Sequence, residues 1–580
     1  MIALKTDYEV GKIPHSEHPC PQSMREKWVC LNGEWDFYKL GANGERSFEQ
    51  KILVPFSPET FNSGVAAGFT LEADEKLVYI CKIETPKAWL DGVVRLHFGA
   101  VDSECEVFLN GEKVGAHRGG FTAFFIDIQD FLKEGENELK VVCADRAMEY
   151  GGARGKQLKK RGGIWYTPQS GIWQTVWIEL MPKAYIETPK IFTDASQKTV
   201  RIVGEREEER EIVVFDGDRE ILRTTYQKEI TLSYDFELWS PENPKLYDFT
   251  ITNKAGDKLK SYFGVRSFGK TRDKNGKMRL TLNGKPYFFN GVLDQGYWSD
   301  GMLTYPSDKA AEDELKMLKA MGFNTVRKHI KIEPMRWYYH CDRLGLVVWQ
   351  DFVNGGGAYQ FTHIAAFPFL GFKHKDDDYA YFARENGAGR AEFAEAVDET
   401  LAQLYNCTCI GVWVPFNEGW GQFDSAFWTE YVRGQDNSRI IDSVSGWHDQ
   451  GVGKTELRSL HTYYTPLKVP KDNRAVVLSE FGGYSRKIDG HVFDEEKEFG
   501  YKKFKTDEDL LKALKKLYLK KLKPLVAKGL CGAIYTQVSD VEEEINGLVT
   551  YDRKIVKVPV EEMAKINAEI KAEAEKITLV

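Results

Sequence analysis

The rhythm of the chain changes once, near Lys270, and that change constrains the fold more than any other feature. Before it, short runs alternate apolar and polar residues and break at turns. Val93–Phe98 reads VVRLHF, Cys105–Leu109 reads CEVFL ahead of Asn110-Gly111, and Thr175–Leu180 reads TVWIEL. Alternation of period two with Asn-Gly turns predicts antiparallel β-sandwiches. A second all-β stretch from Ala184 to Phe268 has the size of a small immunoglobulin-like sandwich.

After Lys270, strand-like runs alternate with helical stretches. Tyr287–Val292 (YFFNGV) is followed by GFNTVRKH, LVVWQDF, IGVWVPFNE, RIIDSVSGW, LHTYY, AVVLSEFGG and CGAIYTQVSD. Helices are expected from Ser307, over Met335–Leu344, Glu392–Leu404 and Thr506–Lys528, and near Val560–Ile577. Eight strands with intervening helices predict a (β/α)8 barrel. The 580 residues are too many for one core. They divide into a jelly-roll-like β-sandwich (1–182), an immunoglobulin-like β-sandwich (183–268) and a C-terminal (β/α)8 barrel (269–580).

In such a barrel reactive groups sit where strands end at their carboxyl termini. Glu418 closes the run GVWVPF and Glu480 the run VVLS, the fourth and seventh strands. Two carboxyls across one pocket suit glycoside cleavage with retention: one stays protonated to release the leaving oxygen, and the other attacks the anomeric carbon. Asn417 is placed to donate to a sugar 2-hydroxyl, and Tyr463 or Tyr464 to hydrogen-bond the nucleophile. This chemistry requires no cofactor and no metal. Cys407 and Cys409 have no second Cys/His pair nearby to complete a metal site.

Several classes are excluded. A net charge of −8 and a pI near 5.9 argue against a nucleic-acid partner. No apolar run approaches the roughly 18–20 residues of a membrane span, and the N-terminus carries no secretory pattern. Nine scattered cysteines fit reduced, buried thiols and a cytoplasmic location.

The ordered series of motifs resembles glycoside hydrolase family 2, the group of β-galactosidases, β-glucuronidases and β-mannosidases, over nearly the whole length. Leu31–Phe37 (LNGEWDF), Val54–Ser57 (VPFS) and Ser170–Trp177 (SGIWQTVW) resemble its sugar-binding sandwich. Leu238–Tyr247 (LWSPENPKLY) and Phe263–Arg266 (FGVR) resemble the end of its immunoglobulin-like domain. GFNTVRKH, Phe416–Trp420 (FNEGW) and Ser479–Gly482 (SEFG) resemble its second-strand, acid/base and nucleophile motifs. The resemblance implies that Glu418 is acid/base, Glu480 nucleophile, Asn417 a 2-hydroxyl contact, Arg327 a charge partner of the nucleophile, and Tyr463 its hydrogen-bond donor.

Departures from the family pattern bear on the sugar. His461 stands where many relatives carry Asn. The first strand continues as Gly291-Val292-Leu293-Asp294-Gln295-Gly296-Tyr297-Trp298, offering Asp294 for hydroxyls and Trp298 as a stacking face. On the second strand His329 is a candidate ligand contact, and Asp351 ends the third strand on the same rim. The Asn-x-Lys pair by which family glucuronidases bind a carboxylate is absent after Glu480, and the acidic run Asp540–Glu544 either repels an anionic sugar or, as the simpler reading, is a solvated loop. An aromatic insertion from Asn354 to about Arg390, with Tyr359, Phe361, Phe367, Phe369, Tyr379 and Tyr381, shapes the aglycone side or a subunit contact.

The expectation is therefore a retaining exo-β-glycosidase acting on a carbohydrate partner with a terminal neutral sugar, β-galactoside-like first. Glucuronide, mannoside and arabinoside cleavage are alternatives in the same family, and a non-catalytic carbohydrate-binding protein is the alternative from another class. A homo-oligomer is an expectation from the family alone.

Overall fold

The computed structural model describes residues 4–579 except 452 and 454. The first domain is two antiparallel sheets. One runs 46–54, 33–40, 76–85, 135–144, 104–109, 112–118 in spatial order, and the other 28–30, 176–181, 93–98, 124–127. Their facing sides alternate as the sequence does: Val93–Phe98 buries Val94, Leu96 and Phe98, and these pack with Trp35, Phe37, Leu77 and Tyr79 in one core. The second domain is a seven-stranded sandwich, three strands (190–194, 199–203, 229–233) against four (219–226, 210–216, 247–253, 258–263), with its own core around Ile212, Phe249 and Phe263.

The barrel strands are β1 (Phe289–Asp294), β2 (Thr325–Lys328), β3 (Val347–Asp351), β4 (Ile410–Val414), β5 (Ile440–Ile441), β6 (Leu457–Thr462), β7 (Ala475–Gly482) and β8 (Leu530–Thr536). They form one parallel sheet in the order β5-β4-β3-β2-β1-β8-β7-β6. Strands β5 and β6 meet without a ladder. Glu456 N donates to Ile441 O at 3.3 Å and the Thr455 hydroxyl to the same carbonyl at 2.9 Å, so the barrel is nearly closed. A hairpin, Phe268–Arg272 with Met278–Leu282, lies under its N-terminal end, where Arg279 Nη1 donates to Val526 O and Leu530 O at 2.7 and 3.3 Å.

The helices follow their caps. Asp308–Ala320 starts where the Ser307 hydroxyl accepts from Ala310 N, and the segment from Asp507 where Thr506 accepts from Asp509 N. The second runs on as a wide π turn, Lys516–Leu522, into Lys523–Ala527. Helix Gly387–Leu404 begins five residues before the expected Glu392, because Asn386 caps it by accepting from Ala388 N. Among the described residues no helix is long and apolar enough to cross a membrane, and the nine cysteines are free.

One connection of the first domain leaves it altogether. Residues 151–170 lie across the carboxyl end of the barrel. Gly356 N donates to Gly151 O at 3.0 Å, and Arg154 N and Gly155 N to Asn354 O at 3.1 and 3.0 Å. On the other side, Thr167 N donates to Glu542 and Gly163 N to Glu543 at 2.8 and 3.2 Å, and the Tyr166 hydroxyl to Glu544 at 2.5 Å. A Cβ on Gly355 would stand 1.8 Å from Gly152 O, which explains glycine there as a close backbone crossing.

Candidate active site

Glu418 and Glu480 are brought to the same mouth by β4 and β7. Beyond Val414 the chain makes a turn in which Trp420 N donates to Asn417 O at 2.9 Å, and Glu418 and Gly419 both have left-handed backbone, φ +50° and +75°. A left-handed glutamate costs of order 1–2 kcal/mol, and Glu418 N is held by Ser445 O at 3.0 Å. Both carboxyls are almost fully buried, 6% and 5% exposed. One oxygen of each and a ring nitrogen of His461 lie within 4.8 Å of one another. Such proximity is compatible with a double displacement, whose two carboxyls stand about 5–5.5 Å apart. An inverting pair, about 6.5–9.5 Å apart, needs room for water between its carboxyls.

Their surroundings differ. Burial raises the Glu418 carboxyl above its ordinary value; His461 pulls it back and Glu480 adds to the rise. Burial acts on Glu480 in the same direction, but His461, Arg327 and the Tyr463 hydroxyl outweigh it and hold Glu480 below its ordinary value. Arg327 Nη1 donates to Glu480 Oε1 at 3.1 Å, and the Tyr463 hydroxyl donates to Oε2. The Tyr463 ring is fixed by stacking on Tyr501 with centroids 3.7 Å apart. The surroundings thus push the two carboxyls of the coupled pair in opposite directions, Glu418 toward its protonated form and Glu480 toward its ionised form.

Arg327 forms a hub. It grips Asp351 with Nε and Nη2 at 3.0 and 2.9 Å, and Nη2 also reaches Asn417 Oδ1 at 2.8 Å. This fixes the Asn417 amide, whose Nδ2 is buried without a protein partner, the position for a donor to a sugar hydroxyl. Asp351 also holds His329 Nδ1 at 2.7 Å, and burial together with Lys156 and Arg327 keeps His329 neutral. Asp351 therefore sits behind the pocket, orienting Arg327 and His329.

His461 is placed by Gly446, where a Cβ would come within 2.8 Å of Nδ1. Nδ1 is 2.6 Å from Glu418 Oε1 and Nε2 is 3.0 Å from Ser445 Oγ. Both ring nitrogens are engaged, so His461 acts on the Glu418 carboxyl and offers no nitrogen to the sugar. Two carboxylates and an imidazole are also a donor set for a cation. These hydrogen bonds, with those to Glu480, already occupy the atoms a metal would take.

Two expectations are corrected. Asp294 does not face the pocket: Oδ2 pairs with Lys328 Nζ at 2.5 Å and Oδ1 accepts from Gly296 N at 2.7 Å. Trp298 offers no sugar a face: it is 2% exposed, with the Arg553 guanidinium 4.2 Å from its ring centroid and Tyr8 edge-on. Tyr464, the alternative to Tyr463, is 67% exposed and packs edge-on against Tyr501.

The loop 151–170 brings in residues that the strand pattern could not indicate. Lys156 lies with its ammonium 4.5 Å from the Trp420 centroid and 5.5 Å from that of Trp165. Glu418 and Glu480 act on its charge. The only sign in the sequence was a long glycine-rich break, GGARGKQLKKRGG, between two strands of a sandwich. In the acidic run, Asp540 pairs with Lys557 at 2.6 Å, and Glu542–Glu544 hold residues 163–167. These carboxyls are largely buried, not a solvated loop. In the insertion, the exposed Phe369 lies edge-on to the half-buried Trp447 at 4.9 Å, and Trp447 lies 6.2 Å from His461, so an aromatic chain runs from the insertion to the partner of Glu418.

A jelly-roll-like sandwich, an immunoglobulin-like sandwich and a barrel with this carboxyl pair define a three-domain architecture that known proteins share. Residues 48–181 match the family described as "Glycosyl hydrolases family 2, sugar binding domain", 186–266 "Glycosyl hydrolases family 2", and 274–526 "Glycosyl hydrolases family 2, TIM barrel domain". The chain belongs to glycoside hydrolase family 2. It is 25% identical over 414 residues to a beta-glucuronidase of Streptococcus agalactiae, covering 67% of this chain and 66% of that one. It is 22% identical over 418 residues to a beta-galactosidase of Thermoanaerobacter pseudethanolicus, covering 67% and 50%. The matches thus span between half and two thirds of these relatives. A beta-glucuronidase structure from an uncultured Clostridium species superposes with a TM-score of 0.73 at 18% identity, covering 95% of this chain and 99% of that one.

Proposed function

We propose that the protein is a retaining exo-β-glycosidase, with Glu418 as acid/base and Glu480 as nucleophile. The observation that carries this is the convergence of the two carboxyls within 4.8 Å in opposite electrostatic settings. In the first step Glu480 attacks the anomeric carbon while the Glu418 proton passes to the departing glycosidic oxygen, leaving a glycosyl ester on Glu480. In the second, Glu418 takes a proton from water as the water oxygen attacks the same carbon and the ester bond to Glu480 breaks. Arg327 and Tyr463 hold the oxygens of Glu480 in place, and Asn417 Nδ2 is available to the 2-hydroxyl, where a hydrogen bond strengthens in the transition state. The loop 151–170 across the mouth supports cleavage at a chain end, and the aromatics around Trp447 and Phe369 support an aglycone on the Glu418 side.

Proton NMR of an aryl β-glycoside digest tests the mechanism. The β-anomer should appear first; an α-anomer as the first product would sink the double displacement. Glu480→Gln should abolish turnover while sugar binding remains, whereas a carbohydrate-binding protein would lose nothing.

The sugar itself is a finer question. Relatives named for β-galactosides and for β-glucuronides both match. In the sequence, a missing lysine and an acidic run point to a neutral sugar. In the fold the carboxyls of that run are engaged with Lys557, Arg161 and the 163–167 backbone, and a lysine arrives from another domain. Lys156 favours the second reading, an acidic sugar.

A further inference from the structure

Four lysines are buried among the described residues: Lys156, Lys328, Lys331 and Lys557. Three are neutralised by carboxylates. Lys328 holds Asp294 and Glu333 at 2.5 and 2.7 Å, Lys331 holds Glu333 at 2.7 Å, and Lys557 holds Asp540 at 2.6 Å. Lys156 is 5% exposed, yet among the described residues no carboxylate oxygen lies within ion-pair distance of its ammonium and no acceptor within hydrogen-bond distance. Its surroundings are instead the rings of Trp420, Trp165 and Tyr166, at 4.5, 5.5 and 5.8 Å.

Removing an ammonium from water without a partner is costly, and ring faces return only part of that cost. The nearby carboxyls act on Lys156 at a distance but are occupied elsewhere. Glu544 is held by Tyr166 and Asn546 at 2.5 and 3.0 Å, Glu480 by Arg327 and Tyr463, and Glu418 by His461. Nor is the position of Lys156 accidental. Its carbonyl accepts from Tyr166 N at 3.0 Å, and the next residue, Gln157, is locked between Asp102 and Gln169 N at 3.0 and 2.6 Å. The loop thus presents a fixed, largely buried lysine without a carboxylate partner beside Glu418 and Glu480, the setting that a ligand carboxylate would complete.

We propose that Lys156 is the specificity-determining residue of this site: it binds a carboxylate on the terminal sugar, so that the substrates are β-linked uronic acid glycosides. This rests on the glycosidase reading above and adds the class of sugar. The cation reaches the pocket from the N-terminal sandwich, so its absence from the segment after Glu480 does not imply a neutral pocket. Trp165 and Trp420 shield the ion pair from water, which strengthens it.

The test compares initial rates on aryl β-glucuronide, β-galacturonide, β-galactoside and β-glucoside for wild type, Lys156→Met and Lys156→Arg, with melting curves confirming that each variant folds. The wild type should prefer a uronide. Lys156→Met should lower the ratio of uronide to neutral kcat/KM by at least about 100-fold, as expected for truncating one partner of a buried charge pair, with Lys156→Arg recovering part of it. A wild type that prefers a neutral glycoside leaves the glycosidase reading standing and overturns this proposal, as does an equal loss on all four substrates. If no glycoside turns over, calorimetry with free glucuronate and galacturonate decides: binding lost in Lys156→Met supports the anion site without the reaction, and no binding to the wild type overturns it.

Discussion

Arg327 and Lys328 are neighbours on β2, both fully buried and both paired with a carboxylate at the end of an adjacent strand, yet they serve different ends. Arg327 shares its face of the sheet with Trp349 and Asp351 of β3 and reaches across the barrel to Glu480 and Asn417. Lys328, one residue on, points the other way. It meets Asp294, its partner in register on β1, together with Glu333 and the face of Trp337 in the helix packed outside. Successive side chains of a strand alternate between faces. A carboxylate at the end of a barrel strand is thus a site residue only on the inward parity. Asp351 has it, and Asp294 does not.

The sharpest way to break this comparison is to neutralise each carboxylate in turn. Asp351→Asn removes the charge that orients Arg327 and His329, and kcat/KM should fall on the order of 1000-fold in a protein that still folds; a variant with near wild-type rates would end the distinction. Asp294→Asn should do the reverse. Urea titration should show a loss of about 3 kcal/mol, with Glu333 still holding Lys328, while kcat/KM stays near the wild-type value.

The pH profile sharpens it further. Activity should fall at low pH as Glu480 takes up a proton, at a value below the ordinary carboxyl range, and at high pH as Glu418 loses one, at a value above it. His461 lowers both carboxyls, so His461→Ala should move both limbs of the kcat/KM profile to higher pH; a shift to lower pH would contradict the role given to that ring. The smallest effect is expected from Trp298→Phe. Losing the best ring for Arg553 should cost about 1 kcal/mol, read as a lower melting temperature, with KM unchanged.

The rhythm change at Lys270, the eight strands and the two glutamates were legible because each depends on local order: period-two alternation, apolar runs, and carboxyls next to their ends. Asp294 was misplaced because the parity of β1 is not visible in a run whose six residues are all buried, and Trp298, beyond the strand, because no local pattern shows that it packs on Arg553. His461 was legible as a neighbour of the site but not as the partner of Glu418, a contact spanning 43 residues and fixed by Gly446. Lys156 was invisible for a different reason. It lies on an irregular loop of a domain whose own pattern says only β-sandwich, and no periodicity encodes where such a loop docks.

The docking of that loop also has a consequence for synthesis. Its hydrogen bonds to carboxylates of the barrel join residues 239 to 382 positions apart, from Ala153–Glu392 to Arg161–Glu543. When the ribosome has finished the first sandwich, none of those carboxyls has yet been made. The sandwich core can close early, since its strands are local, but residues 151–170 must wait for the segment after β8, among the last to emerge. A nascent chain stalled before Glu542 would carry both Glu418 and Glu480 and still lack the docked loop. Appearance of activity during translation would therefore report completion of the barrel, not of the carboxyl pair.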